Sequence, residues 1–320
     1  MNKVNPVEPQ RRAGHVKAVL LALLVTFLWS TSWVLIKLGL KANLPAVSFA
    51  GLRYTLAFLF LLPLLLFNPG HRQTVRGLTR VQWGQMVLLG LLLYTLTQGA
   101  QYVGLAYLPA AMLSLLLNLT PLLVAVISGR TRVEAAPLSQ WAGIFLSTVG
   151  TLVFFLPFAV PAGQWIGLAA ALVCLAANAA ASIFGRRINL HSGLSPLVIT
   201  TLSMGVGGLA MLAIGGLTQG FGRLDFTQWL IVVWLALINT ALGFTLWNHT
   251  LRTLTAVESS ILNSAMMPQI AILAWVFLGE ALTVRQMIGM LLVVAGTLIV
   301  QLRLRLPQKI RSSGSVEPGQ

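Results

Sequence analysis

Small polar side chains at helical spacing are the first residues in this sequence that suggest chemistry. Ser114 and Asn118 are four residues apart, as are Ser259 and Asn263, so each pair lies on one face of a helix. A proline follows each pair, and proline removes an internal hydrogen bond and kinks a helix. The two prolines are Pro121 and Pro268. The pattern favours a polar cavity beside kinked helices; alternatively, these side chains only hold helices together, at about 0.6–2 kcal/mol each.

Other apolar stretches carry similar stripes of polar and aromatic residues. Amides and hydroxyls orient a ligand, and ring faces supply contact area, so we expect a cavity suited to a zwitterionic or moderately apolar small molecule. The candidate binding residues are Trp29, Ser32, Trp33, Tyr94, Gln98, Ser114, Asn118, Asn178, Asn239, Trp247, Ser259 and Asn263.

Three charged residues inside the apolar stretches are candidates for solute binding or gating. Arg53 stands about 12 Å along its helix, where a charge costs roughly 2.5–3.5 kcal/mol. It therefore binds a substrate carboxylate, takes part in gating, or pairs with backbone carbonyls. Lys37 lies near a helix end and can snorkel to the interface. Glu258 is favoured in the first turn of its helix by the helix dipole, as is Glu280 at the helix after it.

The composition places the chain in a membrane. Of its 320 residues, 57% are hydrophobic and 8% charged, against roughly 25% charged in a soluble domain. The net charge of +15 would suggest a nucleic-acid partner for a soluble protein, but here the basic residues separate apolar runs, so we expect none. The single Cys174 excludes an intramolecular disulfide and a multi-cysteine metal site, and we expect no metal and no cofactor.

Apolar runs of about 20 residues predict an all-α integral membrane protein with ten transmembrane helices. If the N terminus is cytoplasmic, sixteen of the 21 Lys and Arg residues fall in cytoplasmic segments, three in outer segments and two inside spans. This bias predicts a multi-pass protein of the cell inner (plasma) membrane with both termini cytoplasmic. The predicted spans are 17–40, 46–67, 82–107, 109–129, 139–159, 163–188, 195–217, 228–251, 256–278 and 282–303.

The sequence repeats itself at an offset of 146 residues. SQWAGIFLSTVGTLVFF (139–155) and RQMIGMLLVVAGTLIVQ (285–301) share six of seventeen positions, including two glycines on which a neighbouring helix can pack closely. Each half has five spans, so we expect two inverted five-helix repeats, an architecture typical of secondary transporters. The predicted units are a cytoplasmic N-terminal segment (1–16), the two repeats (17–159 and 163–303) and a cytoplasmic C-terminal tail (304–320).

Three local patterns point to a known family. They are WSTSWVLIK (29–37), LRYTLAF (52–58) and PQIAILAWVFLGEALTVRQMIGMLLVVAGTLI (268–299). These patterns resemble the EamA family of the drug/metabolite transporter superfamily, although the first half has ISGRTRVEAAP (127–137) where the second has LGE. The resemblance implies a ten-helix inner-membrane carrier that exports small metabolites, often amino acids or drug-like compounds.

We therefore predict a secondary transporter that exports small metabolites by alternating access, with the lipid bilayer and a small-molecule substrate as partners. A passive facilitator or an uptake carrier is the alternative; coupling to a proton or another ion, and a homodimer, are left open. An intramembrane enzyme or a scaffold is a further alternative. The sequence has no H-E-x-x-H, no G-x-S-x-G and no phosphate-binding loop, so we expect no enzyme.

Overall fold

The computed structural model describes residues 7–120, 123–124, 127, 138–156, 162–250, 253–254, 262–263 and 265–302. Within these ranges the regular structure is helical, and the connections are short. In chain order the helices are α1 (Val7–Lys41), α2 (Ala46–Leu66), α3 (Pro69–Arg76), α4 (Arg80–Tyr107), α5 (Ala110–Leu117), α6 (Leu138–Phe155), α7 (Trp165–His191), α8 (Pro196–Thr218), α9 (the consecutive segments Phe226–Trp234, Leu235–Leu242 and Gly243–Thr250), α10 (Met266–Leu278) and α11 (Val284–Leu302).

Six regions of the described chain are long and apolar enough to cross a membrane, with mean hydropathies from 1.3 to 2.2. They are Gly14–Lys41, Ala46–Leu66, Arg80–Tyr107, Trp165–Asn189, Pro196–Thr218 and Phe226–Trp247. Shorter apolar helices are Trp141–Phe155, Met266–Leu278 and Val284–Gly296. The predicted all-helical class with membrane-length helices is confirmed; the count of ten spans and the inverted repeat stay predictions.

The fourth predicted span, 109–129, is interrupted in the structure after Leu117, and helical residues follow at 120, 123–124 and 127. Its helix α5 closes on Asn118, whose backbone N–H donates to the Ser114 carbonyl over 3.0 Å. Pro121 has no N–H, so it cannot bond the carbonyl of Leu117, four residues earlier. The missing donor accounts for an interruption of the helix at this point. The predicted kink at Pro121 itself lies outside the described residues.

The ninth predicted span, 256–278, is described as a continuous helix only from Met266. Pro268 lies in the first turn of α10, and residues 262–263 before it are helical. The backbone N–H groups of a first turn have no partner within the helix, so proline is tolerated there.

α4 and α9 each contain one π-helical segment, Leu91–Gln98 and Leu235–Leu242. In each segment a threonine hydroxyl, of Thr97 or Thr240, donates over 2.8 Å to the carbonyl five residues earlier. Such wider turns are rare and occur frequently at functional sites. They also change which side chains share a face, because the residues per turn increase.

Each π segment offers a backbone carbonyl to a neighbouring helix. The Trp29 indole of α1 donates to the Asn239 carbonyl of α9 over 2.9 Å. The Cys174 thiol of α7 donates to the Thr97 carbonyl of α4 over 3.1 Å. These bonds supply donors to carbonyls that lie in apolar surroundings, where an unsatisfied group costs several kcal/mol.

Glycines bring two helix pairs into close contact, α6 with α11 and α2 with α8. A Cβ on Gly150 would lie 2.6 Å from the Gly289 carbonyl oxygen, and a Cβ on Gly289 would lie 2.7 Å from that of Gly150. On α2, a Cβ on Gly51 would lie 2.5 Å from the Leu212 Cα. Only glycine fits such backbone approaches. The glycines repeated in the sequence thus hold α6 against α11.

We expect Gly289→Ala to lower the thermal unfolding temperature of the purified protein, because the added methyl group meets backbone atoms of α6. Overpacking of this kind costs about 1–3 kcal/mol. The matched control is Gly84→Ala in α4, where a Cβ would meet nothing within 4 Å. A Gly289→Ala variant as stable as Gly84→Ala would contradict this packing.

Candidate functional site

A cavity of about 310 Å³ lies between helices from both halves of the sequence. Ligand sites typically measure about 300–1,000 Å³, so it would hold a small solute. α1, α2, α4, α5, α7, α9 and α10 contribute side chains, together with Asn263 just before α10. The lining residues are Trp29, Ser32, Trp33, Arg53, Tyr54, Leu93, Gln98, Gln101, Ser114, Leu117, Asn118, Asn178, Phe244, Asn263, Met266, Met267 and Ile270.

Eight of the twelve predicted binding residues lie at this cavity, and the charged candidate Arg53 lies there with them. The eight are Trp29, Ser32, Trp33, Gln98, Ser114, Asn118, Asn178 and Asn263. Ser259 lies outside the described residues, as do the gating candidate Glu258 and the proline at position 121.

Asn239 supports the cavity wall instead of lining the cavity. Its side chain is fully buried, and its amide nitrogen donates to the Leu28 carbonyl and, over 3.1 Å, to the Thr31 hydroxyl. The backbone carbonyl of Asn239 accepts the Trp29 indole N–H. Asn239 therefore fixes α9 to α1 and fixes the position of Trp29, which does line the cavity.

Tyr94 and Trp247 also lie behind lining residues. The Tyr94 ring centroid is 5.4 Å from that of Tyr54, and the Trp247 centroid is 5.2 Å from that of Trp29. The spacing of Tyr94 four residues before Gln98, and of Trp247 eight residues after Asn239, predicted that each would share a face with other binding residues. Tyr94 lies within a π segment and Trp247 follows one, so α-helical spacing does not describe which residues share their faces.

Two aromatic lining residues, Tyr54 and Phe244, were missed by the sequence analysis. The Tyr54 hydroxyl donates to the Gln98 side chain over 2.6 Å, and the Phe244 ring centroid lies 5.2 Å from that of Trp29. The tyrosine in LRYTLAF, next to Arg53, was the available signal for the first. Nothing in the local pattern marks Phe244, because its place depends on the π segment before it.

Arg53 brings a full positive charge to the cavity, although only 4% of its surface is exposed. Its Nε donates to the Thr240 hydroxyl over 2.8 Å, and its Nη1 donates to the Tyr102 hydroxyl over 3.3 Å. The guanidinium carbon lies 5.2 Å from the centroid of the Tyr54 ring. No carboxylate of the described residues lines the cavity.

Lys37 and Glu280 hold the turn between α4 and α5 from two sides. The Lys37 ammonium donates to the Leu105 carbonyl over 2.7 Å and to the Leu108 carbonyl. The Glu280 carboxylate accepts the Ala110 backbone N–H over 2.7 Å. The positive charge thus meets the carbonyl end of α4 and the negative charge meets the amide end of α5, as the helix dipoles favour.

The Gly-Glu pair of the sequence pattern explains how Glu280 reaches α5. Gly279 ends α10 with φ 69°, a left-handed conformation that glycine adopts without strain. From the sequence, Glu280 is expected to stabilise the helix that follows it. The start of α11 is instead bonded by Thr283 and Gln286, and Glu280 serves α5.

A second cavity, of about 520 Å³, lies between α5, α6, α7 and the α10–α11 connection. It is larger, but its walls are mainly apolar side chains such as Met112, Phe154 and Phe155. It contains none of the predicted binding residues. Amides, hydroxyls, aromatic rings and a guanidinium converge on the smaller cavity, which we take as the candidate site.

The fold defines a multi-pass helical membrane protein, and the polar cavity lies between its helices. The model of the EamA-like transporter family matches residues 16–156 and 165–302. The chain belongs to this family, and the resemblance inferred from the sequence is confirmed. Family membership indicates a transporter, not an enzyme, with a lipid bilayer and a small molecule as partners.

Named relatives are consistent with this membership. A "Probable amino-acid metabolite efflux pump" of Salmonella typhimurium is 29% identical over 312 residues, which covers 92% of this chain and 98% of the relative. A protein of the same description from Escherichia coli is 28% identical, over 87% of this chain and 93% of that one. The "Uncharacterized transporter YvbV" of Bacillus subtilis is 27% identical, over 88% and 90%. A solved structure with a TM-score of 0.65 and 20% identity, covering 91% of this chain and 99% of the other, shares the fold.

We expect Asn239→Ala to destabilise the protein by about 1–3 kcal/mol, because it removes buried hydrogen bonds between α9 and α1. Asn263→Ala removes the same side chain at an exposed cavity position, and we expect little change in stability. Thermal unfolding of both purified variants measures the difference. Equal unfolding temperatures would mean that Asn239 has no supporting role.

Proposed function

We propose that this protein is a secondary transporter that exports small metabolites, amino acids or related compounds, across the plasma membrane by alternating access. The 310 Å³ cavity is its solute site. The observation that carries the proposal is the convergence of polar, aromatic and charged side chains from both halves of the chain on one cavity. The efflux pumps among the relatives support export of amino-acid metabolites.

Paired features of the two halves support an inverted repeat of five spans each. α4 begins with a capping box of Thr79 and Gln82, and α9 begins with one of Asp225 and Gln228, 146 residues later. The contacts exchange in the same way, since α1 packs on α9 and α10 while α7 packs on α4 and α5. Matches of the family at 16–156 and 165–302 agree with repeats at 17–159 and 163–303.

The Lys37 and Glu280 clamp supports alternating access, because it lies directly beyond one end of the cavity. Lys37 lies one helical turn beyond Trp33 on α1, and Ala110 lies one turn before Ser114 on α5. With cytoplasmic termini, this end faces the outside of the cell. The clamp keeps the outer end closed, and it must separate for solute to leave.

Efflux measurements test the solute site. In cells preloaded with labelled amino acids, we expect Asn178→Ala to slow efflux about tenfold, because an amide that contacts the solute is lost. Asn189→Ala, on the exposed surface of the same helix, is the matched control and should leave efflux unchanged. Equal efflux in the two variants would remove the cavity from the transport path. Loss of wild-type efflux in the presence of an uncoupler would show coupling to the proton gradient.

Thiol labelling tests the clamp. In a Cys174→Ala background, Ser114→Cys places one reactive thiol in the cavity. Glu280→Gln replaces charge-assisted hydrogen bonds by weaker neutral ones. We therefore expect a membrane-impermeant thiol reagent added outside the cell to label the introduced cysteine several-fold faster than in the protein that keeps Glu280. The control is Arg285→Gln on the same connection. Labelling that is unchanged or slower in Glu280→Gln would contradict an outer gate at this position.

A further inference from the structure

We propose that Arg53 makes this cavity selective for solutes that carry a carboxylate, and that the cavity does not require an ammonium group. The expected solutes are amino acids, N-acylated amino acids and other small carboxylic acids with an apolar body; cations without a carboxylate are excluded. This inference rests on the proposed function of the cavity as the solute site.

Burial makes the Arg53 charge costly. Arginine stays protonated in proteins, and at the centre of a membrane helix its charge costs roughly 2.5–3.5 kcal/mol. Arg53 is the eighth residue of α2, about 12 Å from the helix end, and 4% of its surface is exposed. Such a residue needs compensation from its surroundings.

The protein compensates Arg53 only with neutral groups in the part of the chain that the structure describes. These groups are the hydroxyls of Thr240 and Tyr102 and the ring face of Tyr54. The Thr240 hydroxyl donates its own proton within the π segment, so it presents a lone pair to Arg53 Nε. Nη2 makes no hydrogen bond to any described residue, and Arg53 lines the cavity.

The carboxylates of the described chain whose side chains are placed bind elsewhere. Asp225 caps α9 by accepting the Gln228 N–H over 2.7 Å, and Glu280 accepts the Ala110 N–H. A solute carboxylate would therefore supply the anion that Arg53 lacks among the described residues, and a guanidinium matches carboxylate geometry with parallel N–H donors.

The other described residues that line the cavity are uncharged. Amides of Gln98, Asn118, Asn178 and Asn263 bind an acylated amine as well as a free one, because each carries a donor and an acceptor. The indoles of Trp29 and Trp33 accept an apolar body or the face of an ammonium group. No acidic side chain among the described lining residues distinguishes an amine from an amide.

Equilibrium binding to the purified full-length protein in nanodiscs tests the inference without requiring transport. The probes are radiolabelled phenylalanine, N-acetylphenylalanine and phenylalanine amide. We expect the two carboxylates to bind with affinities within a few-fold of each other, and the amide to bind at least about tenfold more weakly. An amide that binds as well as phenylalanine, or N-acetylphenylalanine that fails to bind, would overturn the inference with no variant needed.

Variants separate solute binding from a structural role of Arg53. Arg53→Gln should weaken the binding of phenylalanine and of N-acetylphenylalanine by about 10–100-fold, since hydrogen bonds to charged groups contribute about 1.5–3 kcal/mol. It should also remove the preference for these two probes over phenylalanine amide. The affinity of Arg53→Lys for the two carboxylate probes should lie between those of the wild type and Arg53→Gln, because lysine keeps the positive charge but lacks the planar guanidinium. Tyr102→Phe removes a partner of Arg53 but keeps the charge, so it should keep the preference for carboxylates. Loss of stability in Arg53→Gln with unchanged selectivity would mean a structural role only.

Efflux of the same probes from proteoliposomes separates this inference from the proposed function. Selective binding without efflux would uphold the carboxylate site and overturn the transporter. Efflux of all three probes at equal rates would uphold the transporter and overturn the carboxylate site. Absence of binding by every probe would overturn the carboxylate site.

Discussion

The structure depends on one constraint: in a bilayer, each backbone polar group must find its partner inside the protein. Regular α-helices meet this constraint alone, but the π segments of α4 and α9 expose carbonyls that need donors from other helices. Trp29 and Cys174 supply those donors. The interruptions that shape the cavity are therefore also the points that join the helices around it.

The same groups serve the fold and the site. Thr240 closes the π turn of α9 with its proton and accepts from Arg53 with its lone pair, so the backbone irregularity positions the charge. Asn239 joins α9 to α1 and fixes the indole of Trp29. At one end, Lys37 and Glu280 bind the turn between α4 and α5. A site built from such joints changes shape when any of the joined helices moves, as alternating access requires.

Periodicity and composition predicted the helical membrane class, and the spacing of Ser114 and Asn118 agrees with their shared place at the cavity. Asn239 and Trp247 do not line this cavity, and a π segment, which alters which residues share a face, contains the first and precedes the second. The helix-dipole argument assigned Glu280 to the helix that follows it, whereas its partner in the structure is α5, which is distant in sequence. Charge cost identified Arg53 as a residue that needs a partner, but its hydroxyl partners on α4 and α9 follow only from the tertiary structure.

Trans-stimulation in proteoliposomes tests the central claim most directly. The purified protein is reconstituted, labelled phenylalanine is loaded inside, and its exit is followed with and without unlabelled phenylalanine outside. A carrier that alternates around one site returns faster when it is loaded, so our account predicts saturable exit that external solute accelerates. An exit rate that rises linearly with the internal phenylalanine concentration and does not change with external phenylalanine would contradict alternating access and indicate a channel.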